Sequence, residues 1–160
     1  MFNLLNPTNL QILSQIHKYN MNTESKVIHK ELSYKIVGVL FEVYNELGYG
    51  YQEKYYERAI EKYFIAEKMN FKRQIPYKIT AKGEVIGRYY LDFLVEDKIV
   101  LEIKKGNYFS KRNIEQVKGY LKITGMKLAI LANFTPSGVK YFRVLNPKNL
   151  QISYKSTNIS

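Results

Sequence analysis

The sequence predicts an α/β domain in which a mixed central sheet of about five strands is flanked by helices, in the order ααβββαββ. Three observations carry that expectation. Apolar residues recur every three or four positions from Glu31 to Met69, then alternate with polar ones between residues 71 and 104. A third helical stretch, bracketed by Ser110 and Gly125, separates those strands from two more. A chain of 160 residues with 46% hydrophobic and 14% aromatic side chains is also long and apolar enough for one buried core.

The first helix is read from Leu32, Ile36, Val39, Leu40, Val43 and Leu47, whose spacing lines one face, with Gly48 as its stop. After Gly48-Tyr49-Gly50, a second helix is expected from about Gln52 to Met69, burying Tyr56, Ile60 and Tyr63 or Phe64. Ile75, Tyr77 and Ile79 alternate with polar residues, Lys82-Gly83-Glu84 reads as a turn, and Tyr89–Val95 and Ile99–Lys104 are β-rich, giving a three-stranded meander. Ser110 is a natural N-cap for a helix to Thr124. Lys127–Asn133 and Val139–Leu145 then form two strands around Pro136-Ser137-Gly138. Residues 1–28 read as a loose N-terminal arm, 29–147 as the domain and 148–160 as a polar tail.

Composition removes several chemistries. Without cysteine there can be no disulfide, thiol nucleophile, Cys-ligated zinc or Cys-held iron–sulfur cluster. The N-terminal segment lacks a signal peptide's early charge and unbroken apolar run, and no stretch is long enough to span a membrane, so a cytoplasmic protein is expected. A formal charge of +11 favours a polyanionic partner, because Lys and Arg that neutralise phosphates release counterions. An AT-rich coding sequence would produce the same abundance of Lys, Asn, Ile and Tyr, so charge alone does not choose.

Position does more. A turn at Glu96-Asp97-Lys98 pairs Val95 with Ile99, which sets Asp92 opposite Glu102. Partners on one face stand about 5 Å apart at Cβ, and alternation puts Lys104 on the face of Glu102. Two carboxylates that close repel unless a proton or cation lies between them. Oxygen ligands without His or Cys suit Mg²⁺ or Mn²⁺, and a neighbouring ammonium can orient water or steady transition-state charge. A surface hairpin with a cross-strand salt bridge would give the same spacing, but the flanking Leu91, Phe93, Leu94, Ile99, Val100, Leu101 and Ile103 are those of a buried strand, where charge needs a reason.

Gly50-Tyr51-Gln52-Glu53-Lys54-Tyr55-Tyr56 matches a GxxExxY signature, and Gln116-Val117-Lys118-Gly119-Tyr120 is similar to a QxxxY motif. From about His29 to Pro147 the chain thereby resembles the GxxExxY proteins, a group of small bacterial and archaeal proteins within the PD-(D/E)xK nuclease superfamily. The resemblance implies a restriction-endonuclease-like core and Mg²⁺- or Mn²⁺-dependent hydrolysis of phosphodiester bonds, with DNA the favoured substrate. It also implies a catalytic set of Glu53, Asp92, Glu102, Lys104, Gln116 and Tyr120, and a metal set of Asp92, Glu102, Ile103 and Glu53. Leu91 stands where the superfamily's name has proline. Some members of such folds are binding modules, so a non-catalytic nucleic-acid- or partner-binding protein is the alternative.

Lys111, Lys118 and Lys122 recur on one side of the third helix, with Lys105 and Arg112 near its start, and this basic stripe is expected to track phosphates. The partner is therefore expected to be nucleic acid rather than a membrane. A homodimer or a larger repair or defence complex stays open at this point.

Overall fold

The computed structural model describes residues 27–148, so all but the innermost residues of the expected arm and tail lie outside it. Helix α1 (Lys30–Leu47) buries Ile36, Val39, Leu40 and Val43, and helix α2 (Glu53–Ala66) buries Tyr56, Ile60 and Phe64. Between them Gly48 and Gly50 take φ of 69° and 121°, a left-handed region that side chains disfavour, so the chain turns there and α2 starts beside the sheet. The second helix stops at Ala66 rather than Met69, because Lys68 adopts φ 55° and breaks the repeat.

Strands β1 (Phe71–Ala81), β2 (Glu84–Val95) and β3 (Ile99–Lys105) form the expected meander. Helix α3 (Lys111–Thr124) carries the chain across to β4 (Leu128–Thr135), and β5 (Gly138–Leu145) returns beside it. Ser110 caps α3 by accepting from the Asn113 N–H at 3.1 Å, and Gly125 ends it at φ 71°. The sheet order is β1-β2-β3-β4-β5. All pairs are antiparallel except β3–β4, which the α3 crossover makes parallel.

Two apolar clusters cover the two faces. On one, α1 and α2 pack on Phe93, Val95, Ile99, Leu101, Ile103, Ile130 and Phe134. On the other, Val117, Tyr120 and Leu121 of α3 pack on Leu91, Leu94, Val100 and Leu131. All eight residues of β4 are buried, so it and not β3 is the most enclosed strand.

The faces exchange part-way along the β1–β2 ribbon. Phe71 and Phe93 belong to the first cluster, yet Ile75, Tyr77, Tyr89 and Leu91, at alternate positions along the same strands, belong to the second. The ribbon turns over between them, where Gln74 has φ 49° and the ladder skips the Gln74–Asp92 pair. Beyond that point its outer face is open to solvent.

Helix α2 is fixed to the sheet by Tyr56. Its ring stacks on Phe134 at 4.0 Å between centroids, and its hydroxyl donates to the Gly48 carbonyl at 2.8 Å. Truncating Phe134→Ala should therefore cost about 3–5 kcal/mol, whereas Tyr56→Phe, which loses only the hydrogen bond, should cost about 1 kcal/mol. Urea unfolding of the two variants checks the ranking.

Candidate active site

Pairing between β2 and β3 covers only Phe93–Leu101, Leu94–Val100 and Val95–Ile99. The register is the one the three-residue turn implies, but the ladder stops one pair short of Asp92 and Glu102, which therefore do not form the expected strand pair. The strands part there because β2 turns over toward β1 at Gln74 while β3 continues along β4 to Lys105. Asp92 spans the opening: its Oδ2 accepts the Ile103 N–H at 2.7 Å, replacing the strand partner that β3 has lost.

Glu102 and Lys104 project from the same side of β3 and form an ion pair, Nζ to Oε1 2.8 Å. The glutamate side chain is 3% exposed and its Oε2 is a buried acceptor with no hydrogen-bond partner. The Ile103 side chain between them is buried in the first cluster, so only its main chain faces the site.

Glu53, the first residue of α2, meets β3 one residue beyond Lys104, its Oε1 accepting the Lys105 N–H at 3.2 Å. On the other side of the sheet Gln116 of α3 donates through Nε2 to the Tyr120 hydroxyl at 3.1 Å, rather than reaching out to Lys104. Tyr120 is buried with its ring edge-on to Tyr89 at 4.3 Å. Burial raises its hydroxyl pKa, helped by the Glu102 charge, so it stays a neutral phenol beside the carboxylates.

Burial, then the charge of Glu102, pushes Asp92 up to about 7, with the Ile103 N–H pulling the other way. Glu102 is raised by burial against the opposing pull of Lys104. Burial works against the Lys104 ammonium, but Glu102 and then Asp92 outweigh it and lift its pKa.

Sequence reasoning missed two neighbouring groups, one around Glu57 and Arg73 and one at Asn133. Glu57, four residues past Glu53, adds to the negative potential at Asp92, and its Oε2 takes hydrogen bonds from Arg73 at 3.0 Å and Gln74 at 3.2 Å. Arg73 also reaches Glu61 at 2.6 Å and lies over the Phe93 ring at 5.2 Å. Asn133 of β4, in register with Lys104, is buried and donates to the Gly106 carbonyl at 3.1 Å. The i, i+4 spacing of Glu53, Glu57 and Glu61 was the available signal for the first group; Asn133 had none.

The basic residues do not all converge. Lys105 is exposed, with Nζ over the Tyr49 ring at 5.6 Å. Lys111, Arg112 and Lys122 are exposed on α3, and Lys118 pairs with Glu115 at 3.1 Å. At about 100° per residue the Lys111–Lys118–Lys122 stripe lies opposite the buried Tyr120, on the outer side of the helix. No helix among the described residues is long and apolar enough to cross a membrane.

The sequence profile of the PD-(D/E)XK nuclease superfamily matches residues 30–145, from the start of α1 to the end of β5. The chain belongs to this superfamily. No curated protein matches it significantly in sequence. Among solved structures, the crystal structure of SSO0001 is similar at 14% identity and a TM-score of 0.48, over 91% of this chain and 80% of that one. An alkaline exonuclease from Laribacter hongkongensis is similar at 14% identity and a TM-score of 0.46, over 98% of this chain and 77% of that one. The PD-(D/E)XK domain of this chain has its own mixed sheet flanked by helices, as the order ααβββαββ predicted.

The raised carboxyl of Asp92 has a thermodynamic consequence. Because Asp92 titrates near 7 when folded and near 3.8 when unfolded, the folded chain holds the extra proton between those values. Metal-free stability is then highest below pH 4 as far as this group is concerned, and falls as pH rises to about 7. Asp92→Asn should flatten that fall and stabilise the metal-free protein at pH 8 by about 1–3 kcal/mol. Chemical denaturation at pH 5 and pH 8 with chelator present measures it; an unchanged pH profile would contradict the assignment.

Proposed function

We propose that the protein is a divalent-metal-dependent nuclease of the GxxExxY type that hydrolyses phosphodiester bonds, in DNA before RNA. The observation that carries this reading is the grouping of Asp92, Glu102 and Lys104 at the parting of two strands, with one buried carboxylate oxygen unpartnered.

Among the described residues no group of three or more His, Cys, Asp or Glu converges on a metal-sized site. The residues present nevertheless suit Mg²⁺ or Mn²⁺, which use one or two carboxylates and complete their shell with water and substrate oxygen. Asp92 and Glu102 would hold the ion, Glu102 through its free Oε2, with the Ile103 main chain beside them. Glu53, tied to β3 through Lys105, would support that arrangement from α2. The ion would supply a polarised water and positive charge against the phosphate.

Lys104 supplies the rest from the chain. Held as an ammonium by its acidic neighbours, it donates hydrogen bonds to an incoming water and to the negative oxygens of the transition state, rather than taking a proton. Tyr120, neutral and buried, stiffens the wall behind Glu102 and fixes the Gln116 carboxamide, whose second N–H and oxygen stay available to substrate.

Lys104→Ala should lower hydrolysis by about 100-fold or more while leaving the melting temperature in Mg²⁺ buffer within a few degrees. Rates and melting are measured in one buffer on linear, circular and single-stranded substrates with Mg²⁺ and with Mn²⁺. Full activity in the variant would make Lys104 only a salt-bridge partner of Glu102, whereas a wild type that titrates neither ion would leave a binding module in place of an enzyme.

The outer stripe of α3 is proposed to hold phosphates. Changing Lys111, Lys118 and Lys122 together to Gln should flatten the slope of log K against log salt by roughly two to three units on duplex. Affinity is measured across a salt series in the Lys104→Ala background; an unchanged slope means that the stripe is a solvated helix face.

A further inference from the structure

Three tyrosines at the start of α2 are exposed although nothing in the fold requires it: Tyr49 is 40%, Tyr51 47% and Tyr55 43% accessible. They come from the glycine-bounded turn and the first turn of the helix, and Tyr51 lies edge-on to Tyr55 at 6.3 Å and to the core residue Tyr56 at 6.2 Å. Cations sit over two of the three rings. Lys105 Nζ is 5.6 Å from the Tyr49 centroid, and Lys54 Nζ and the Arg58 guanidinium are 5.1 and 5.9 Å from that of Tyr55.

This patch adjoins the candidate active site. Lys105 follows Lys104 on β3, and its N–H is the group that Glu53 accepts.

We propose that Tyr49, Tyr51 and Tyr55 form a stacking platform for unpaired bases, with Lys54, Arg58 and Lys105 holding the adjoining phosphates. The substrate class is single-stranded nucleic acid or the frayed end of a duplex; this deepens the nuclease reading and rests on it. In an intact duplex the base faces are covered by one another, so only unpaired bases can use aromatic rings that alternate with cations. A second copy of the same patch is a poor occupant, because it would bring two sets of three cations together on a chain of charge +11.

The test uses the full chain carrying Lys104→Ala, so that substrate survives. Binding of a labelled oligothymidylate and of a duplex of equal length is measured by fluorescence anisotropy for the parent, for Tyr49→Ala and Tyr55→Ala, and for the matching Phe variants. Each Ala variant should weaken single-strand binding roughly five- to a hundredfold while duplex binding stays within about twofold, and Phe should restore it. Crosslinking of an iodouracil-bearing oligonucleotide to the parent provides a reading independent of variant folding, and the adduct should map to Tyr49, Tyr51 or Tyr55. Equal losses on both substrates, no loss, a crosslink elsewhere, or a change of sedimentation coefficient in the Ala variants would overturn the platform. A parent that binds neither substrate would overturn the nuclease reading together with it.

Discussion

The parting of β2 from β3 after the Phe93–Leu101 pair governs the rest of the site. A sheet interior normally has no room for a ligand, because each strand is saturated by its neighbours. Here β2 turns over toward β1 and leaves the Ile103 N–H without a strand partner, and an unpaired buried amide is costly. The Asp92 carboxylate takes that hydrogen bond at 2.7 Å, which fixes the acid at the mouth of the opening. Its charge is then held beside that of Glu102 in a place built by apolar side chains. The raised pKa values of the pair follow from this enclosure.

Everything around the opening keeps it at one width. Tyr56 stacks on Phe134 and seats the start of α2 against β3 and β4, which lets Glu53 reach the Lys105 N–H. Arg73 joins Glu57 and Glu61 of α2 to β1 next to the turnover. On the face opposite α1 and α2, Tyr120 and Leu121 of α3 pack on the sheet, with Tyr120 near enough to Glu102 to feel its charge. The site is thus bounded by α2, β1 and α3.

Much of this was legible in the sequence because it depends on local rules. Ser110 and Gly125 mark the ends of α3, Lys82-Gly83 the ribbon turn, and the alternation on either side of Glu96–Lys98 the β2–β3 register. The nearness of Asp92, Glu102 and Lys104 was legible from that register, although the ladder ends before Asp92 and Glu102 can pair. What escaped was the place where register stops mattering. Gln74 takes a left-handed conformation with no glycine or asparagine to announce it, and the turnover it permits is rewarded only by two clusters on opposite faces. The Arg73 network joins residues 12 and 16 positions apart across a helix and a strand, so no periodicity within one element could reveal it.

The alternation of β3 also guards against error. Ile99, Leu101 and Ile103 face one cluster, while Glu102 and Lys104 turn the other way. A slip of one residue against β4 would drive both charges among Phe93, Ile130 and Phe134 and bring Ile103 to the mouth of the opening. Burying that pair away from its setting costs far more than a misplaced neutral residue would. The same two side chains that are proposed to equip the strand for chemistry therefore penalise its misaligned assemblies, and proofreading of the fold falls to the residues whose misplacement would be most damaging.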